Sequence, residues 1–277
     1  MPDDARALLR RPPDVVVVAA IGTLAGVFSG LFGVGGGLVM VPLLIAWLGL
    51  DERRATSTSL GAIAVISAAA ALAQVPYGTL HPWQGLLLGV PALGGVLLGT
   101  AVQQRLPLHV VAGLFGVLML AVAATLVLVP GEESGAAPAL TAPLVAAAIA
   151  LGVMAGVLSG LLGVGGGLVF VPALVYVLGL DHVAAEATSL LAILPAAVLG
   201  AWRQHRYGNL EHATAARLGV LAVPGAALGV ALAHALPVDL LRLGFAALLV
   251  VVALRFVRRG LTGARDRRSR SAEGHRG

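Results

Sequence analysis

Two glycine clusters carry the residue pattern most suited to chemistry: Gly33-Val34-Gly35-Gly36-Gly37 and Gly163-Val164-Gly165-Gly166-Gly167, each set between apolar runs. Consecutive glycines leave backbone amides without helical partners. At membrane depth such irregular backbone is tolerated only inside protein or along a cavity. A short apolar helix predicted after each cluster would aim its free N–H groups and the positive end of its dipole at the glycines. That arrangement suits an anion held without lysine or arginine. Further along, Thr58-Ser59 and Thr188-Ser189 offer hydroxyl pairs, either as ligands to the same anion or, in the structural reading, as helix caps or back-bonds to the preceding turn. The candidate substrate-binding set is therefore Gly33, Gly35, Gly36, Gly37, Thr58 and Ser59 with Gly163, Gly165, Gly166, Gly167, Thr188 and Ser189. Ser29 and Ser159, in the helix before each cluster, are weaker candidates. Neither cluster is a Walker loop, because no Gly-Lys-Ser/Thr follows, and Leu38 stands where a dinucleotide fingerprint needs its third glycine.

The other polar residues offer less. Gln74 and Gln204 are matched and each end an apolar run, where they could line a pathway but are rather expected at the interface, as are Tyr77 and Tyr207, which read as interfacial anchors. The histidines at 81, 109, 182, 205, 212 and 234 fall at segment ends, without metal-ligand spacing on one helix. His205, Glu211 and His212 come nearest to a site and read as a polar loop. No metal, cofactor or catalytic residue is expected. A serine nucleophile at 29 or 159 would lack a histidine base inside any span, and there is no cysteine at all. No aspartate or glutamate lies deep inside a predicted span, so any pH dependence is expected to come from the substrate or from water rather than from a carboxylate relay.

The elements that must position these residues are membrane helices. The chain has 277 residues, 58% hydrophobic and 11% charged, with a mean hydropathy of +0.96. A soluble domain carries about a quarter charged residues, so this chain cannot solvate a globule. The composition excludes a disordered chain and a soluble enzyme and indicates an all-α integral membrane protein in the lipid bilayer. The net charge of +5 comes from arginine alone, since lysine is absent. Eight arginines follow Leu254, directly after an apolar span, which reads as a cytoplasmic anchor; no nucleic-acid partner is expected.

The chain is a duplication. Gly22–Leu60 and Gly152–Leu190 match at a constant offset of 130, with 25 of 39 positions identical, and the offset persists through Gln74/Gln204, Tyr77/Tyr207, Gly89/Gly219 and Pro107/Pro237. The first half divides into Val15–Leu31, the glycine loop Phe32–Gly37, the short Leu38–Leu48, and spans at Thr58–Gln74, Trp83–Gln103 and Leu108–Val129. Its counterparts are Ala142–Leu161, Leu168–Leu178, Thr188–Gln204, Ala213–His234 and Val238–Phe256. At about 1.5 Å per residue the short helices cannot cross a core of about 30 Å. The organisation is a cytoplasmic N-terminus (1–14), repeat 1 (15–129), an external linker (130–139), repeat 2 (140–258) and a basic cytoplasmic tail (259–277). The counting leaves eight or ten segments open.

Arginine placement predicts the threading. Arg6, Arg10 and Arg11 put the N-terminus inside, the tail puts the C-terminus inside, and the linker, with Glu132 and Glu133 and no positive charge, falls outside. Each half then crosses an odd number of times, so the second is inverted. Arg53, Arg54, Arg105, Arg203 and Arg206 fall inside on this scheme, and the loop Asp181–Glu186 falls outside. Four parallel spans per half would reverse the first three of those arginines.

The doubled pattern GxxSGLxGVGGGxxxVPxL…LGLD…ATSL resembles the sulfite exporter TauE/SafE family, also called toluene-sulfonate uptake permeases, over roughly residues 15–258. The resemblance implies a secondary transporter, in the exporting direction, of small sulfur-containing or organic anions such as sulfite, sulfoacetate or sulfonates, in a prokaryotic plasma membrane. The family's glycine motifs fall on Gly33–Gly37 and Gly163–Gly167. Arg53–Ser57 departs from Val183–Ala187, so nothing is carried onto those loops. A channel-like or structural protein whose glycines only pack helices is the competing reading. Substrate identity, direction of transport, coupling ion and oligomeric state are left open by the residues.

Overall fold

The computed structural model describes the backbone of residues 15–105 and 141–273, with side chains up to Arg258 apart from 255 and 256, and helical positions at 116, 117, 119–121, 123, 124, 127 and 128. Every element among them is helical: α1 (Val15–Phe32), α2 (Gly37–Leu48), α3 (Glu52–Gln74), α4 (Pro82–Gln103), α5 (Ala142–Leu162), α6 (Gly167–Tyr176), α7 (His182–Arg206), α8 (His212–Ala235) and α9 (Val238–Glu273). A single 3-10 turn, Val75–Tyr77, follows α3. Six helices, α1, α3, α4, α5, α7 and α8, are long and apolar enough to cross a membrane. The chain is a multi-pass, all-α membrane protein. The expected N-terminus 1–14, the linker and most of the predicted span Leu108–Val129 lie outside the described residues. Within that span, Gly116 abuts Ala253 and Val257 of α9, and Met119 and Ala123 are buried.

The LGLD motif makes a helix-to-helix corner, and its chemistry corrects two boundaries. Gly49 and Gly179 adopt φ of 66° and 67°, where a Cβ would be strained, and the amides of Leu50 and Leu180 bond back to Leu44 O and Leu174 O. The aspartate then caps the next helix: the Asp51 carboxylate accepts from the amides of Arg53 and Arg54 at 3.1 Å, and Asp181 from Ala184 at 2.9 Å. Helices α3 and α7 therefore begin at Glu52 and His182, earlier than the predicted starts at Thr58 and Thr188. Residues 182–186 are a helical turn and a half, not a loop.

Each half packs through the other. On α1, Gly22, Gly26 and Gly30 face Leu218, Ala222 and Ala226 of α8 so closely that an added Cβ would meet their carbonyl oxygens. On α5, Gly152, Gly156 and Gly160 face Leu88, Ala92 and Val96 of α4 in the same way. Gly225 and Gly229 return the contact onto Thr23 and Val27, and Gly95 and Gly99 onto Val153 and Val157. Residue numbers rise together along both pairs, so these helices run parallel. Small residues every fourth position let two backbones touch, which is how helices associate where lipid removes the hydrophobic drive. The central pair is α3 and α7, whose Leu60 side chain abuts Gly200.

Candidate functional site

The two glycine loops meet at the centre of the molecule, between α3 and α7. In the first loop α1 ends with the Gly33 amide on Ser29 O at 2.9 Å, and Gly33, Gly35 and Gly36 take φ of 63°, 79° and 75°. The second loop repeats this, with the Gly163 amide on Ser159 O at 2.9 Å and φ of 66°, 89° and 81° at Gly163, Gly165 and Gly166. Only glycine tolerates three such positions in four residues. Gly36 and Gly166 are the N-caps of α2 and α6, and their carbonyls accept from Val39 and Met40, and from Val169 and Phe170. The remaining first-turn amides of α2 and α6 have no acceptor within their own helices.

The loops lie against each other. A Cβ on Gly167 would stand 2.6 Å from Gly33 O and from the Cα of Val34; one on Gly37 would meet Gly163 O and the Cα of Val164. Ile63 of α3 and Ile193 of α7 flank Gly35 and Gly165. Gly33 to Gly37 and Gly163 to Gly167 are all buried. Among the described residues no three His, Asp or Glu side chains are grouped to hold a metal ion.

The hydroxyl pairs divide by function. Ser59 Oγ lies 2.5 Å from Gly163 O and 3.1 Å from Thr56 O, while Ser189 Oγ lies 2.5 Å from Gly33 O and 2.7 Å from Glu186 O. Each serine thus shares one proton between its own helix and the loop of the opposite half. Thr58 Oγ accepts from the Glu211 amide at 3.4 Å and Thr188 Oγ from the His81 amide at 3.0 Å, which ties each long helix to the start of α8 or α4. The serines reach the loops; the threonines reach helix starts. Ser29 and Ser159 behave differently, since both are fully buried one turn before a loop and neither hydroxyl has a hydrogen-bond partner among the described residues. A buried hydroxyl left unpaired is costly, and the same cost is incurred in both halves. Their matched position four residues before the first loop glycine was the signal in the sequence.

Gln74 and Gln204, at or near the ends of α3 and α7, are fully buried against neighbouring helices. Gln204 donates to Gln103 Oε1 at 2.5 Å, and Gln103 donates onward to Leu161 O at 2.7 Å, joining the ends of α7, α4 and α5. Gln74 Oε1 sits 2.7 Å from His234 Nε2 and accepts from Thr79. Tyr77 and Tyr207 are partly exposed at helix ends. Glu186 differs from expectation: the sequence pattern predicts a loop there, yet it lies in the second turn of α7 with 0% exposure, its Oε1 3.3 Å from His182 Nε2. The cause is the Asp181 cap, which starts the helix before the apolar run does. A carboxylate therefore does lie inside a spanning helix.

Comparison with known proteins agrees with this architecture. The model of the sulfite exporter TauE/SafE family matches residues 3–126 and 148–276, one stretch in each half. The chain belongs to that family. The curated Bacillus subtilis (strain 168) protein described as "Probable membrane transporter protein YunE" is 23% identical over 236 residues, covering 77% of this chain and 85% of that one. No solved structure matches the chain. As a TauE/SafE family member the protein has a role in membrane transport.

Proposed function

We propose that the protein is a secondary transporter, not an enzyme, that moves small sulfur-containing or organic anions such as sulfite, sulfoacetate or sulfonates, in the exporting direction, across a prokaryotic plasma membrane. The observation that carries this reading is the convergence of two broken helices on one buried centre, each glycine loop following one turn after a buried serine hydroxyl that has no hydrogen-bond partner among the described residues. Amides of a helix first turn and hydroxyl donors suit a small anion whose charge no arginine neutralises. The loops are packed on each other, so the anion enters when the halves rock apart around them. Gly33, Gly35, Gly36, Gly37, Gly163, Gly165, Gly166 and Gly167 supply backbone. The hydroxyls of Ser59 and Ser189 fix loop carbonyls, and those of Thr58 and Thr188 fix helix starts.

Inverted repeats with both termini cytoplasmic form part of the same proposal. It is supported by which ends meet: Arg53 at the start of α3 reaches Gln104 after α4, and Arg54 reaches Glu211 before α8. Gln204 at the end of α7 meets the ends of α4 and α5, whereas Gln74 at the end of α3 meets His234 of α8. The copies α3 and α7 thus point opposite ways, and Arg53, Arg54, Arg105, Arg203 and Arg206 gather at one face. The chain lacks cysteine, so Cys placed at Ser134 should react with an impermeant thiol reagent in intact cells and Cys at Ser271 should not. The reverse labelling overturns the orientation.

A structural protein is the second reading, favoured by one observation: a Cβ at Gly33 or Gly36 would overlap the backbone of Glu186 or Ala25, so packing alone demands these glycines. Proteoliposomes loaded with sulfite, sulfoacetate, methanesulfonate or a carboxylate separate the two. Saturable efflux with cross-competition among the sulfur anions is expected; no flux, or flux that never saturates, overturns transport in favour of a scaffold or a channel.

A further inference from the structure

The offset of 130 sets Thr56 against Glu186, and Glu52 against His182. The backbone around position 186 is nevertheless shared: Thr56 O and Glu186 O each adjoin the first glycine of the opposite loop and each accept a serine proton. Only the second half carries an ionisable pair there. The Glu186 carboxylate is wholly buried, and neither oxygen has a hydrogen-bond partner among the described residues. His182 Nε2 approaches to 3.3 Å, too poorly aligned for a hydrogen bond. His182 is 7% exposed, with the Phe245 ring 6.1 Å away, and the exposed cap Asp181 lies just beyond it.

The groups facing this pair from each neighbouring element are few. Helices α1, α4 and α5 contain no ionisable side chain, and α6 contributes Tyr176. α9 brings Asp239 and Arg242, of which Arg242 acts electrostatically on His182. The ionisable residues of α3 are Glu52, Arg53 and Arg54 at its opposite end, and α8 carries His234, on which Asp181 acts electrostatically. An ionised carboxylate buried with one basic neighbour is expensive, and a proton held by it or shared with that neighbour removes the cost.

We propose that Glu186 and His182 form a proton-binding site that couples anion movement to proton movement. A proton from solvent on the Asp181 side passes to the His182 imidazole and then to the Glu186 carboxylate; only O–H and N–H bonds form and break, and the proton leaves by the reverse transfers to the opposite side once the halves have rocked around the loops. Glu186 touches Gly33 through its backbone, so an anion at the first glycine loop and an ionised Glu186 repel each other in a dry setting. Anion and proton therefore favour each other's binding, reciprocally, and move in the same direction. This rests on the transporter reading above but not on its direction, since co-movement exports the anion only where its own outward gradient exceeds the inward proton gradient.

Two measurements keep the readings apart. In purified full-length protein without any anion, infrared difference spectra across a pH titration should show a carboxylic C=O stretch that disappears in Glu186→Gln and shifts its midpoint in His182→Gln. An identical band in Glu186→Gln overturns the site whether or not transport is seen. In proteoliposomes, methanesulfonate serves as a probe because it does not itself titrate. Glu186→Gln should lose about tenfold or more of pH-gradient-driven accumulation while one-for-one exchange at equal pH stays within about twofold. Glu186→Thr, which copies Thr56, should do the same, and monodisperse elution of either variant excludes misfolding as the cause. Undiminished gradient-driven accumulation in both variants overturns proton coupling and leaves transport standing. Absence of methanesulfonate and sulfite exchange in the parent overturns transport, while the infrared result still decides the proton site.

Discussion

The two halves of this protein form nearly the same backbone and carry different chemistry on it. Each supplies a glycine loop with the same left-handed residues, a serine that pins the other half's loop, and a threonine that pins the other half's next helix. Each also leaves one serine hydroxyl beside its loop without a partner among the described residues. The halves part company one turn earlier on the long helix, where Thr56 stands in one and Glu186 in the other. What is held in common builds and closes the centre; what differs places an ionisable group on one side of it. A duplicated scaffold thus keeps its symmetry where backbones touch and gives it up where a proton can be held.

The largest test of the common part is a side chain at the loop contact. Gly37→Val and Gly167→Val should each cost about 3 kcal/mol or more, because the new atoms meet the opposite loop's carbonyl and Cα. Thermal unfolding in detergent reads this, and the symmetry requires both variants to fail. A stable valine variant in either half would break the equivalence of the loops. Next come Ser59→Ala and Ser189→Ala, which leave a buried loop carbonyl without its donor and should lose about 1–3 kcal/mol each. A twofold or larger disparity between them would show that the loops bear unequal load.

Ser29→Ala and Ser159→Ala should do the opposite. Their hydroxyls have no partner to lose, so unfolding should shift by no more than about 0.5 kcal/mol. If the hydroxyls face the anion, affinity measured by equilibrium binding of sulfite should fall about five- to thirtyfold. Unchanged affinity in both would remove them from the site. The smallest expected difference lies at the helix caps. Asp51→Ala removes an acceptor from two amides and Asp181→Ala from one, at about 1 kcal/mol each. Here the halves should diverge in function as well, since only Asp181 lies beside the buried His182–Glu186 pair. A pH profile altered by Asp181→Ala but not by Asp51→Ala would sharpen the contrast, and equal profiles would weaken it.

Much of this was legible without coordinates. Composition alone places the chain in a membrane, because 11% charged residues cannot cover a soluble surface. The offset of 130 exposes the duplication, and glycines four residues apart predict the close helix contacts seen at Gly22, Gly26 and Gly30. Three glycines in a row predict a broken helix, because few other backbones need that freedom. These inferences are local: each depends on a residue's own conformational range or on its spacing along one helix. Which helix lies against which is not local. That α1 packs on α8 and α5 on α4, across the two halves, follows from how all the small faces are satisfied together, and no single segment specifies its partner. The same limit governs the polar residues. Ser59 and Ser189 look alike as ligands or as clamps until the opposite loop's carbonyl is found 2.5 Å away. Glu186 looks like loop charge until the Asp181 cap extends the helix and neighbouring helices bury it. Burial is a property of the assembled molecule, because it depends on surfaces contributed by segments far apart in the chain, and so the tertiary structure alone decided which polar groups lost their water.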